Sequence, residues 1–163
     1  VYAALPYKLV FMSKTELKKI PFLGWAMVFG KHIFVDRSNH KAALASMEVA
    51  KASLQKYPRS IMIFPEGTRS IDGQMKPFKK GGAILAIQTG LPLAPMAVCG
   101  TFDIVKKGLL NIEPKPIHLY IGQPLDTSSY MYDDRNRVTE ILRNQIVNLK
   151  SSWAAQKSPI ANT

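Results

Sequence analysis

Apolar residues come in short bursts along this chain, and their spacing predicts strands alternating with helices. Residues 8–13 (KLVFMS) have the length of a buried strand and lead into a helical turn over 14–19. Pro21-Phe22-Leu23-Gly24 breaks that turn, and residues 25–29 resume as a short apolar helix stopped by Gly30. A second strand is predicted over 32–35, closed by Asp36-Arg37. Ser38 and Asn39 are N-cap residues for a long helix over 41–56, where Ala43, Met47, Ala50 and Leu54 recur every three or four positions along one face. A third strand follows at 60–64. Gly81 or Gly82 opens a small apolar helix over 83–89, which Gly90 ends. Residues 93–98 and 117–121 read as two more strands. Asp133 or Asp134 caps a last helix running to about Trp153, with Val138, Leu142, Ile146 and Leu149 on one face.

This alternation predicts an α/β fold, a mostly parallel twisted sheet with helices on both faces. The core is expected over residues 8–153, with 154–163 a frayed tail. Ligands of such sheets lie beyond the carboxyl ends of the strands. Three strand exits carry a cation: Lys14 after the first, Arg37 after the second, and Arg69, within Glu66-Gly67-Thr68-Arg69, after the third. Arg69 can fork two N–H bonds onto a phosphate, and Glu66 can fix that Arg or accept a substrate hydroxyl. Gly67 permits a close backbone approach or a positive φ. Lys79-Lys80 before Gly81-Gly82 adds charge at a helix start, where free N–H groups also favour anions. Neither Gly-x-x-x-x-Gly-Lys-Ser/Thr nor Gly-x-Gly-x-x-Gly after a strand occurs, so the pattern fits a phosphate bed made of side chains from several strand ends.

Composition sharpens the partner. Among 163 residues, 22 Lys and Arg against 11 Asp and Glu leave a formal charge of +11, which favours anionic partners. A basic recognition helix and an aromatic-interleaved stripe are both missing, which argues against nucleic acid. The single Cys99 excludes an internal disulfide and a cysteine-based zinc cluster, and its apolar neighbours predict a buried, inert thiol. The longest apolar stretch, 83–99, is interrupted by Gln88, Thr89, Gly90, Pro92 and Pro95, well short of the ~20 apolar residues that cross a bilayer. A start at Val1 rather than Met predicts a piece of something longer.

Taken together, the motifs resemble a known family. Phe64-Pro65-Glu66-Gly67-Thr68-Arg69-Ser70 resembles the third motif of the glycerolipid acyltransferases, typified by 1-acyl-glycerol-3-phosphate acyltransferase. Gly30-Lys31-His32-Ile33-Phe34-Val35-Asp36-Arg37 is similar to the second, and Leu91-Pro92-Leu93-Ala94-Pro95-Met96-Ala97-Val98 to the fourth. Lys14-Thr15-Glu16-Leu17, Pro21-Phe22-Leu23-Gly24 and Pro77-Phe78-Lys79-Lys80-Gly81 also look like the family, so the likeness covers about residues 8–125. It implies transfer of a fatty acyl group from acyl-CoA or acyl carrier protein to lysophosphatidate, giving phosphatidate, without a further cofactor or metal. In that scheme Arg37 and Arg69 bind the acceptor phosphate with help from Lys14, Glu66, Gly67 and Thr68 shape the loop, and residues 93–98 line the site and acyl channel. The implied setting is an anionic membrane surface, with the active site toward the cytoplasm.

The resemblance also exposes a gap. Removing the acceptor's hydroxyl proton takes a base, usually a His held by a carboxylate. The family supplies both in a His-x4-Asp motif upstream of Lys14, and none of His32, His40 and His118 is followed by Asp five positions on. His32 with Asp36 is a decoy: four residues on a strand span ~13 Å, too far for a hydrogen-bonded dyad. His118 reads as an ordinary strand histidine and His40 as a solvent-facing residue at a helix start. The reading is therefore a fragment beginning after the first motif, expected to bind anions weakly and to catalyse poorly or not at all. The alternative is a degenerate paralogue, or a non-catalytic module for anionic lipid or phosphate.

Overall fold

The computed structural model describes residues 8–36, 40–57, 59–104 and 114–157. They form a mixed α/β architecture of two compact units, the first ending at Pro65 and the second starting at Glu66. Arg37, Ser38 and Asn39 lie outside the described residues.

The first unit is built on a parallel three-stranded sheet. Strand β1 (Leu9–Lys14) lies between β2 (Ile33–Val35) and β3 (Ser60–Met62). Its register pairs Lys14 with Val35 on one side and Phe11 with Met62 on the other. A central strand is covered on both faces, which is why Leu9, Val10 and Met12 are all buried and the sequence there reads as a continuous apolar run. Helix α2 (His40–Lys56) packs against β2 and buries Met47, Ala50 and Leu54. The exit of β2 is tied to this helix, since the Asp36 N–H donates to Ser46 Oγ at 3.0 Å. Beyond Met62 the third strand leaves the ladder, and the Phe64 ring stacks on Phe11 with centroids 6.5 Å apart.

Between β1 and β2 the chain makes a 3-10 turn (Thr15–Lys19) and helix α1 (Leu23–Phe29). The helix begins two residues earlier than the sequence suggests. Phe22 adopts φ 61° and ψ −51°, and the Leu23 N–H donates to Pro21 O at 2.6 Å, closing a γ-turn that aims the chain straight into helix. Gly24 is buried because a Cβ there would run into the Lys18 carbonyl.

His32 is engaged by the fold through one ring nitrogen and its ring face. Its Nδ1 accepts the Phe11 N–H at 2.9 Å, and its ring stacks on Phe11 at 5.5 Å. Desolvation, with Arg59 nearby, pulls its pKa below the ordinary 6.5.

The second unit holds helix α3 (Gly81–Thr89), strands β4 (Met96–Cys99) and β5 (His118–Ile121), and helix α4 (Arg135–Lys157). Here the structure departs from a wholly parallel arrangement: β4 and β5 run antiparallel, with Met96 opposite Ile121 and Cys99 opposite His118. Bonds from the Gly122 N–H to Pro95 O and between Leu93 and Leu125 continue this pairing past the strand ends. Cys99 is buried as expected, and burial raises its thiol pKa. Thr127, also buried, shares its hydroxyl proton between the carbonyls of Leu91 (2.8 Å) and Ala86 (3.1 Å), fastening the chain to the end of α3. Helix α4 packs on α3 and β4 with Val138 buried. It continues past Trp153, and its last turns are held where Tyr120 OH donates to Gln156 Oε1 at 2.6 Å.

Two outcomes follow from this packing. Gly24→Ala forces the 3-10 turn and α1 apart, and its urea midpoint should show a loss of about 1–3 kcal/mol; an unchanged midpoint contradicts the close approach. Because the folded state resists protonating His32, its contribution is complete above the ordinary value near 6.5 and is lost as pH falls through the lower folded value. Stability measured from pH 7.5 downward should therefore drop less steeply in His32→Gln than in the parent, and equal slopes would contradict this account of His32.

Candidate functional site

In the first unit, parallel strands put their carboxyl ends at one edge. Lys14 is the last residue of β1 and is exposed there, level with Val35, so Lys14 and Asp36 flank the same edge. Strand β3 points the same way, and the chain leaving it runs through Pro65 into Glu66. Arg37, assigned a phosphate from the sequence, lies outside the described residues.

The second unit opens with the loop over residues 66–76, and its own bonds hold it. Glu66 is half-buried and its Oε2 accepts the Lys76 N–H at 2.8 Å, closing the loop across ten positions. Glu66 thus acts as the loop's internal clasp, and among the described residues it makes no ion pair with Arg69. Gly67 sits at φ 70°, where a side chain would be strained. Asp72 Oδ1 accepts from both the Ser70 hydroxyl and the Gln74 N–H, each at 3.0 Å. Those two donors, the Gln74 N–H foremost, hold the Asp72 carboxyl below the usual carboxylate range. On the far side, Lys150 Nζ of α4 donates to Gly73 O at 3.4 Å, and the Phe102 ring lies beside Gly73.

The clasp leaves Thr68 and Arg69 exposed on a backbone that is already ordered. An arginine on an ordered backbone loses less entropy on binding a phosphate than one on a mobile loop. Lys79 and Lys80 are exposed at the start of α3, with Lys80 at its N-cap. The free N–H groups of that first turn favour negative charge. The unit therefore presents Arg69, Lys79, Lys80 and a helix start, each of which favours an anion.

Sequence reasoning missed the supports. Asp72-Gly73 carried a turn signal, but Lys76 contributes only its main chain and Lys150 lies 77 residues from its partner, so neither left a local trace. Two histidines stay out of the site's chemistry as described: the Nδ1 of His32 is occupied by a main-chain donor, and His118 is exposed on β5 opposite Cys99.

With this geometry in place, comparison with known proteins gives a consistent answer. The family model described as Acyltransferase matches residues 1–99, from before β1 through β4. The 1-acyl-sn-glycerol-3-phosphate acyltransferase of Limnanthes douglasii is 35% identical over 158 residues, covering 97% of this chain and 55% of the relative. That of Saccharomyces cerevisiae is 34% identical over 139 residues, covering 83% of this chain and 45% of the relative. In structure, the chain is similar to the 1-acyl-sn-glycerophosphate acyltransferase PlsC of Thermotoga maritima, with a TM-score of 0.68, 30% identity, and coverage of 88% of this chain and 57% of that one. The chain spans about half the length of the curated relatives it matches. A parallel sheet with Lys14 at its carboxyl edge, a clasped Glu-Gly-Thr-Arg loop and a family match across both lead to one assignment: the chain belongs to the acyltransferase family.

Proposed function

We propose that the protein carrying this sequence transfers a fatty acyl group from acyl-CoA or acyl carrier protein to the free hydroxyl of lysophosphatidate, producing phosphatidate at an anionic membrane surface that faces the cytoplasm. The observation that carries this reading is the ordered loop of residues 66–76, which spends Glu66 on its own backbone and leaves Arg69 exposed for an acceptor phosphate. The printed names of the relatives support the choice of acceptor. Among the described residues no helix is long and apolar enough to cross a membrane, and the contact with lipid proposed for this part of the protein is peripheral.

In the reaction the acceptor oxygen attacks the thioester carbonyl carbon. A C–O bond forms, the C–S bond breaks, and the thiol leaves with the proton taken from the hydroxyl. The part given to this chain is to hold the acceptor. Arg69 forks onto the phosphate from a loop that Gly67 and Thr68 shape, and the family resemblance implies that Arg37 binds the phosphate too, with help from Lys14. The base belongs to the His-x4-Asp motif that the family resemblance implies, a spacing not found in these 163 residues.

Release of CoA thiol from acyl-CoA and lysophosphatidate, by protein expressed from its complete reading frame, tests the proposal. Arg69→Ala should lose roughly 1.5–3 kcal/mol of charge-assisted binding, about ten- to a hundredfold in kcat/KM. Turnover in Arg69→Ala equal to the parent's would remove Arg69 from the site. Binding of lysophosphatidate with no thiol release would favour the non-catalytic lipid-binding alternative.

A further inference from the structure

Helix α1 buries little of what its sequence offers. Only Gly24 and Met27, three positions apart, face inward, while Phe22 is 79% exposed, Trp25 63% and Phe29 85%. Ile20, Leu23 and Val28 are exposed beside them. Scattered apolar residues are ordinary on a surface, but these six exposed apolar residues fall within ten positions, and such clustering marks an interaction site. The spacing of Phe22, Trp25 and Phe29 puts them on one helical face, and the Phe22 and Trp25 rings meet edge to face at 5.7 Å. Phe22 is held in a strained γ-turn at φ 61° for a ring that gains little from the interior. That strain sets an aromatic side chain outward.

The charge around the patch identifies the partner. No acid occurs between Glu16 and Asp36, while Lys18, Lys19 and Lys31 flank the helix and are exposed. At its carboxyl end the Tyr57 ring gathers Lys31 Nζ at 4.0 Å, Lys56 Nζ at 5.5 Å and Arg59 Cζ at 5.8 Å. Aromatic rings beside a rim of cations complement the interface of a bilayer bearing negative headgroups. Seven residues of helix extend only about 10 Å, so α1 lies along such a surface rather than through it.

We propose that α1 is a membrane-docking face, in which Phe22, Trp25 and Phe29 enter the interface of an anionic bilayer while Lys18, Lys19 and Lys31 engage its headgroups. This extends the peripheral membrane contact proposed above, and it does not depend on acyl transfer. Docking by α1 would hold the sheet close to the layer from which a lipid acceptor is drawn.

The test uses phosphatidylcholine vesicles with and without phosphatidylglycerol, and a Trp153→Phe background in which Trp25 is the one indole left among these 163 residues. On the anionic vesicles Trp25 emission should shift to the blue and be quenched by bromine-labelled acyl chains. Trp25→Ser with Phe29→Ser should cut partitioning at least about tenfold, and Lys18→Gln and Lys19→Gln about fivefold each, on anionic vesicles only. Phe22→Gly should weaken partitioning while its unfolding midpoint stays at or above the parent's, because the strain goes and little burial is lost. A lowered midpoint with partitioning intact would make Phe22 structural and overturn its docking role. Unchanged Trp25 emission, or dimerisation without lipid that Trp25→Ser abolishes, would overturn the proposal, the latter in favour of a second copy as occupant. Failure of acyl transfer with vesicle binding intact would count against the enzymatic reading alone.

Discussion

The structure depends first on the position of β1 as the middle strand of a parallel sheet. Because β2 and β3 pair with it in the same direction, the carboxyl ends of all three strands share one edge. That geometry puts Lys14 and Asp36 side by side and points the end of β3 toward Pro65. It requires Leu9, Val10 and Met12 to be buried together, and the imidazole of His32 extends the pairing by taking the Phe11 N–H. An apolar run that would be a liability on an edge strand is what a central strand needs.

A second constraint acts on the loop at residues 66–76. A loop carrying an exposed Arg is useful for binding only if ordering it does not consume the binding energy. Three attachments supply that order: the Glu66 carboxylate on the Lys76 N–H, the Asp72 turn, and the Lys150 ammonium on Gly73 O. A carboxylate within three residues of an arginine invites an ion-pair reading. Here the acid satisfies a main-chain donor, and the arginine keeps its charge for a ligand.

Much of this was legible in the sequence, for physical reasons that can be named. Short apolar runs located β1 and β2, glycine-bounded apolar sequence located α3, and spacings of three and four located α2 and α4, because each of these buries apolar side chains in the core. The direction of β4 against β5 was not legible, since apolar periodicity carries no information about which way a partner runs. The early start of α1 depended on a positive φ at Phe22, which an aromatic residue does not advertise. Helix α4 outran its expected end because Gln156 finds Tyr120, a contact 36 residues away. In the site, the strand pattern placed Lys14 at the exit of β1 and strand spacing set His32 aside as a partner for Asp36, while Arg37 falls outside the described residues. The motif left the task of Glu66 open, and only the position of the Lys76 main chain decided it.

The role proposed for the ordered Glu-Gly-Thr-Arg loop is to receive the acceptor's phosphate. Amide hydrogen exchange, followed as lysophosphatidate is added in the absence of acyl donor, reports on it most directly. Protection should rise over residues 66–70 and at the start of α3, and should not rise with a lysolipid whose phosphate is capped by choline. Equal protection by both lipids, or none by either, would contradict the claim.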